Sequence, residues 1–272
     1  MRWTSPGADF AAALALALVF AFALSAAGRE SPARTAARPA VEARARRPVV
    51  VELFTSQGCS SCPPADRLLA RLGEAGGGGV VPLEFHVDYW NGQAWTDPFS
   101  SPEWTLRQKA YARRFGETQL YTPQAVVDGA SELIGSRESE LRAAVAEAAS
   151  RPAASIALSL EPSETEVRVG ARIELPESLR GRRWDLMLAV YETGLSTPVK
   201  KGENGGRTLA NEYVVRSLRR DGSIEQSTSR ESRLPLESGW NRARLGVAAF
   251  LQDPETLEIR GATARSLGSV AR

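Results

Sequence analysis

The stretch Phe54–Asp66, FTSQGCSSCPPAD, governs the reading of the whole chain, because it holds both cysteines of a 272-residue sequence, Cys59 and Cys62. Two serines separate them and two prolines follow. Upstream, Val49, Val50, Val51, Leu53 and Phe54 form an apolar run broken only by Glu52, the pattern of a strand buried on both faces. Downstream, Pro63 and Pro64 suit a first helical turn, whose amides lack intrahelical partners in any case, and Leu68, Leu69 and Leu72 recur at helical spacing. The cysteines therefore sit at a strand-to-helix junction. Unpaired amides and the positive end of the helix favour a negative sulfur there, and Cys59 is the residue that benefits. Cys62, one turn along, is placed to resolve a mixed disulfide formed at Cys59. Redox centre, half a metal site and staple all stay open on this stretch alone. The staple is the weakest of the three, since so short a loop removes little entropy from the unfolded chain. A mature chain of about 240 residues can also bury an adequate core without one.

The remaining elements follow from periodicity and punctuation. A second buried strand runs from Val80 to Val87, and the aromatic loop DYWNGQAWTDPFSS leads to a helix from Pro102 to about Phe115, capped by Ser101 and stopped by Gly116. Thr122-Pro123 opens a hairpin that turns at Asp128-Gly129, and a helix capped by Ser136, with Leu141, Ala144, Val145 and Ala148 on one face, closes the unit. The order over 48–151 is strand, helix, strand, helix, hairpin, helix, with the first two strands parallel. Beyond Pro152 only strand-like segments and turns remain, such as SIALSL, EVRVGARIEL and ARLGVAAFLQD. The expected architecture is thus an α/β domain with a four-stranded mixed sheet and flanking helices at 48–151, followed by an all-β antiparallel sandwich at 152–272.

The N-terminus carries Arg2 and then an uncharged apolar run, Phe10–Ala27, ending in small residues. Residues 1–27 are expected to be a signal peptide cleaved near Ala27. The competing reading is an uncleaved inner-membrane anchor, the only way the chain would meet a membrane. Residues 28–47, rich in Ala, Arg and Pro, are expected to be a disordered linker. Either reading of the leader puts the cysteines in an oxidising compartment, periplasmic or secreted. A net charge of +2, from 34 basic and 32 acidic residues, gives no electrostatic case for nucleic acid.

A strand, Cys59-Ser60-Ser61-Cys62 at a helix start and Thr122-Pro123 before a hairpin together resemble the thioredoxin superfamily. The resemblance implies that Cys59 is the nucleophile, Cys62 the resolving thiol and Pro123 a cis-proline beside them, with no cofactor and with protein or small-thiol redox partners. Thr122, freed of a following amide hydrogen, would receive an extended substrate segment. A closer resemblance rests on VVELFTSQGCSSCPPAD, FHVDYWNGQAWTDPFSSPEW, QLYTPQAVVDG and KKGENGGRTLANEYVVR. These strings are similar to a secreted bacterial family catalogued as domain of unknown function 1223. The chain departs from ordinary thioredoxins in having Gly58 where they carry a Trp, and in Glu52, which lies one residue further upstream of the first cysteine than their buried aspartate.

Four further expectations attach to named residues. Glu52 is a possible proton acceptor for Cys62. His86, the sole histidine, would complete a metal site with Cys59 and Cys62 in a copper-chaperone alternative, although structural zinc calls for four ligands; a histidine hydrogen-bonded beneath the aromatic loop is the plainer reading. Trp90 and Trp95 are expected near Cys59 as substrate-binding side chains. The segment KKGENGGRT, Lys200–Thr208, reads as an exposed loop, with an anion cradle of Lys200, Lys201 and Arg207 as its other use. The function expected from all this is an exported thiol–disulfide oxidoreductase on envelope clients. The alternatives are a non-catalytic envelope binding module with a persistent disulfide and a copper-binding chaperone.

Overall fold

A computed structural model describes residues 47–74, 79–92 and 94–268. The expected leader at 1–27 and all but the last residue of the expected linker at 28–47 lie outside them. In chain order the elements are β1 (Val49–Thr55), α1 (Pro63–Glu74), β2 (Val80–His86), α2 (Pro102–Phe115), β3 (Gln124–Val127), β4 (Ser131–Ile134) and α3 (Glu138–Ala148). There follow β5 (Ser155–Pro162), β6 (Glu166–Glu174), β7 (Trp184–Glu192), β8 (Leu195–Pro198), β9 (Thr208–Asn211), β10 (Val214–Ile224), β11 (Thr228–Pro235), β12 (Leu245–Gln252) and β13 (Ile259–Ser266). Among the described residues no helix is long and apolar enough to cross a membrane.

The protein is α/β, built on a large mixed sheet with two smaller sheets beside it. The eight strands run in the order β13-β12-β7-β10-β2-β1-β3-β4. The first half supplies β2, β1, β3 and β4, with β1 parallel to β2 and antiparallel to β3. These four strands are one end of the larger sheet, not a sheet of their own. The junction is narrow: β10 pairs with β2 at Val214 and Glu84, and the Glu84 amide donates to the Tyr213 carbonyl at 2.9 Å. The separate sandwich expected after residue 152 is therefore only half present. Its strands β5, β6 and β11 do form a second layer, but that layer packs on β7 and β12 of the shared sheet.

Strand alternation explains why β7 and β12 read as nearly unbroken apolar runs. Leu186, Leu188, Val190, Leu245, Val247 and Leu251 face the three-stranded layer. Ala189, Tyr191, Ala248 and Phe250 face the opposite way, into a core shared with Phe54, Phe85, Trp104 and Tyr111. A strand covered on both sides has no polar face to display. The same logic divides β1: Val49, Val51 and Leu53 pack with Leu68 and Leu69 of α1, whereas Val50 and Phe54 pack with Tyr111 of α2.

Local signals mostly landed as expected. The Ser101 side chain accepts from the Glu103 amide at 3.2 Å, Pro102 opens α2, and Gly116 ends it at φ 77°. Ser136 does not cap α3; Arg137 occupies that position without a side-chain cap. The turn after β3 places Asp128 and Gly129 at positive φ. A Cβ on Gly129 would lie 1.9 Å from the Leu257 carbonyl oxygen, so glycine is required there by contact as well as by conformation.

Candidate functional site

The site grows from the end of β1. After Thr55 the chain turns, with the Gly58 amide donating to Ser56 Oγ and the Cys59 amide to the Ser56 carbonyl. Cys62 donates back to the Cys59 carbonyl at 3.3 Å, and the Ala65 and Asp66 amides then donate to the Cys62 carbonyl as α1 begins. Cys59 and Cys62 are joined by a disulfide. The Thr122-Pro123 peptide is cis, and the Thr122 carbonyl oxygen lies 3.9 Å from Cys59 Sγ. Cys59 is 1% exposed and Cys62 0%, so the sulfur pair is covered.

Trp90 and Thr122 come together beside the cysteines, since the indole Nε1 donates to Thr122 Oγ1 at 2.8 Å. Gly58 makes room for this: a Cβ there would stand 3.1 Å from Trp90 Cβ. Trp95 packs against Gly202, next to the Glu203 and Asn204 that bind the cysteine turn, and its buried Nε1 has no partner among the described residues.

Glu52 is not in the site. It shares a strand face with Val50 and Phe54, across the sheet from α1, where Arg107 Nε donates to it at 2.6 Å and the Tyr111 hydroxyl donates to its other oxygen. Strand alternation sets it on the face opposite Leu53 and Val51, whose side chains pack on α1. Thiol exchange in Glu52→Gln is accordingly expected to keep the wild-type pH–rate profile. A displaced profile would return the residue to the chemistry.

The carboxyl on the cysteine side of the sheet is Asp66, on α1. It is buried and accepts from Thr55 Oγ1 at 2.7 Å. Behind it lie Glu84 and His86 of β2 and Asp97 of the aromatic loop, all buried. His86 Nδ1 meets Asp97 Oδ2 at 2.7 Å and Nε2 meets Glu84 Oε1 at 3.0 Å. With both ring nitrogens committed to carboxylates, His86 has none to lend to a metal shared with the cysteines. It sits under the aromatic loop, edge-on to Phe99 at 5.4 Å. Among the described residues no cluster of His, Cys, Asp and Glu is arranged to hold a metal ion.

This cluster makes stability pH-dependent. Burial pulls the His86 pKa down, but Asp97 and Glu84 outweigh it and hold the imidazolium well above its ordinary 6.5. Burial, then the charge of Glu84, pushes Asp66 well above 3.8. Burial would raise Asp97 too, yet the His86 charge, that ring's hydrogen bond and the Gln57 and Phe99 amides leave it below 3.8. Groups whose folded pKa is raised contribute stability that is complete below the unfolded value and lost as pH rises through the folded one. The unfolding free energy is therefore expected to decline on the alkaline side of pH 6.5, and less steeply in His86→Gln. A wild-type curve that rises over that range in denaturant titrations contradicts the assignment.

The segment 200–208 is the exposed loop between β8 and β9 that the sequence suggests, except for one buried residue, Asn204. Asn204, fully buried, donates through Nδ2 to the carbonyls of Gln57 at 3.0 Å and Cys59 at 2.9 Å, while its Oδ1 accepts from Arg207. The Glu203 carboxylate accepts from the Ser60 amide at 3.0 Å. The loop is closed on itself by Val199, Gly205, Gly206 and Arg207 backbone bonds, with Gly202 and Gly206 both at φ 81°. One signal in the sequence pointed here, an asparagine set among glycines in a turn. Next to the loop, Asn211 Nδ2 donates to Glu84 Oε1 at 2.7 Å and Gln57 Nε2 donates to Asn211 Oδ1 at 3.1 Å. The second half of the chain thus supplies one wall of the cysteine turn.

No match was found among curated proteins. Among solved structures the chain is similar to the protein AGR_C_4864 from Agrobacterium tumefaciens, at 27% identity and TM-score 0.65, over 82% of this chain and 96% of that one. It is also similar in fold to HBP35 of Porphyromonas gingivalis, at 17% identity and TM-score 0.63, over 83% and 76% of the two chains. The family model described as "Protein of unknown function (DUF1223)" matches residues 50–252, a span that holds the cysteine turn, the Thr-Pro peptide and the 200–208 loop; the chain belongs to that family.

Proposed function

We propose that this protein is an exported thiol–disulfide oxidoreductase of thioredoxin-like build, acting on protein or small-thiol partners in the periplasm or outside the cell. The observation that carries the reading is the facing pair of a helix-start disulfide and the Thr122 carbonyl before cis-Pro123, 3.9 Å from Cys59 Sγ. In the reductive direction, Cys59 thiolate attacks a client disulfide and releases one client thiolate. Cys62 then attacks Cys59 in the mixed disulfide, releasing the second, so that two electrons pass to the client and the pair ends oxidised. Gly58, where thioredoxins carry a Trp, supports the same reading, since Trp90 from another segment fills that space.

The cover over the sulfurs favours a second reading, a binding module whose disulfide persists. Incubation of the folded protein with glutathione buffers, with thiol trapping of Cys59 and Cys62, separates the two. The oxidoreductase exchanges, reduces insulin-type disulfides and loses both activities in Cys59→Ser. Resistance to reduction while folded, with Cys59→Ser otherwise unchanged in behaviour, sinks the proposal.

A further inference from the structure

We infer that Glu203 is a positioning residue that holds the Cys59–Cys62 couple toward its oxidised form, making it a reducing pair; the inference rests on the redox reading above. A reduced Cys59 is stabilised when nearby amides and positive charge favour its thiolate, and couples with a favoured thiolate are the oxidising ones. Neither serine of the motif brings positive charge. The Ser60 amide, next to Cys59 in the chain, is already taken by the Glu203 carboxylate at 3.0 Å. Hydrogen bonds from the Ser60 hydroxyl and amide hold the Glu203 carboxyl below its usual range, so it is ionised at neutral pH. A negative charge is therefore pinned on the amide of the residue that follows Cys59, whose sulfur must itself become negative. The pin is held from behind, because Asn204 of the same loop is fully buried and spans the Gln57 and Cys59 carbonyls.

Other charges around the turn are Lys200, Lys201 and Arg207 on the loop, Asp66 on α1, Glu84 and His86 on β2, and Asp97. Asp66, Glu84, His86 and Asp97 are held by partners other than Glu203, namely Thr55, Asn211, one another and the Gln57 amide, and these bonds do not depend on Glu203. Arg207 is the opposing charge on the loop, held on Asn204 Oδ1 at 3.0 Å. Its removal acts in the opposite sense.

The experiment equilibrates the intact protein with glutathione at pH 8. Two glutathione thiols and the oxidised pair give one glutathione disulfide and two cysteine thiols, and the Cys59 proton then leaves to solvent above its titration midpoint. Glu203→Gln keeps an oxygen for the Ser60 amide and removes only the charge. It is expected to raise the equilibrium constant for reduction about twofold, and the iodoacetamide reactivity of Cys59 below neutrality by about as much, the scale of an exposed charge interaction. Arg207→Gln is expected to move both readouts the other way, whereas general loosening of the loop would move the two variants together. A wild-type pair that never reduces while folded overturns the redox reading and the inference with it. A wild-type pair that equilibrates, with Glu203→Gln unchanged or shifted toward the disulfide, overturns the inference alone.

Discussion

Replacing Arg107 by Met is expected to cost about 3–5 kcal/mol of unfolding free energy, the usual penalty for leaving one member of a buried ion pair without the other. Arg107 Nε donates to Glu52 at 2.6 Å, and its remaining nitrogens reach Tyr111 and Gln252. The guanidinium also lies over the rings of Phe85, Tyr111 and Phe250, each within 6 Å of the centroid. Glu52 is fully buried, so without Arg107 its charge keeps the Tyr111 hydroxyl but loses its opposing charge. The double variant Arg107→Met, Glu52→Leu should recover much of the loss, because a pair replaced whole by apolar side chains is often nearly neutral. Denaturant unfolding at constant m decides it: equal loss in the single and double variants would mean the pairing is irrelevant. The network joins β1, α2 and β12, so its failure should be felt in both halves of the chain at once.

Asn204→Ala is the second large effect. Two buried carbonyls, those of Gln57 and Cys59, lose their side-chain donor, at about 1–3 kcal/mol for each polar group left unpaired. The loss should fall with particular weight on the cysteine turn. Reduction of the disulfide by dithiothreitol in the folded state is expected to quicken by more than tenfold, because the cysteine turn is no longer braced through its backbone carbonyls. Matched destabilisation elsewhere, as in Arg107→Met, supplies the control. If both variants speed reduction equally, global unfolding is the route and the loop has no special part in it.

Much of the first half was legible because its signals are local. Pro63-Pro64 after the cysteines, Ser101-Pro102 before a helix and Asp128-Gly129 between strands each act within a few residues, and each lies where expected. What was hidden depends on contacts between distant segments. Pairing of β10 with β2 leaves no mark in either strand, since it rests on one pair, Val214 and Glu84, at the start of a β10 that is otherwise largely polar and partly exposed. The brace made by Asn204 reaches across 145 positions, and no periodicity reports it. The placing of the two buried carboxyls was hidden for a different reason. Strand parity turns Glu52 toward Arg107 and Tyr111, whereas Asp66, on α1 itself, accepts from Thr55.

The long reach from Asn204 back to the Cys59 carbonyl also fixes an order of events during biogenesis. A growing chain presents its two thiols well before the segment that will brace their turn has been made. An oxidant that met them in the nascent chain would find the turn without its Asn204 brace, and one that met the folded protein would find the brace in place.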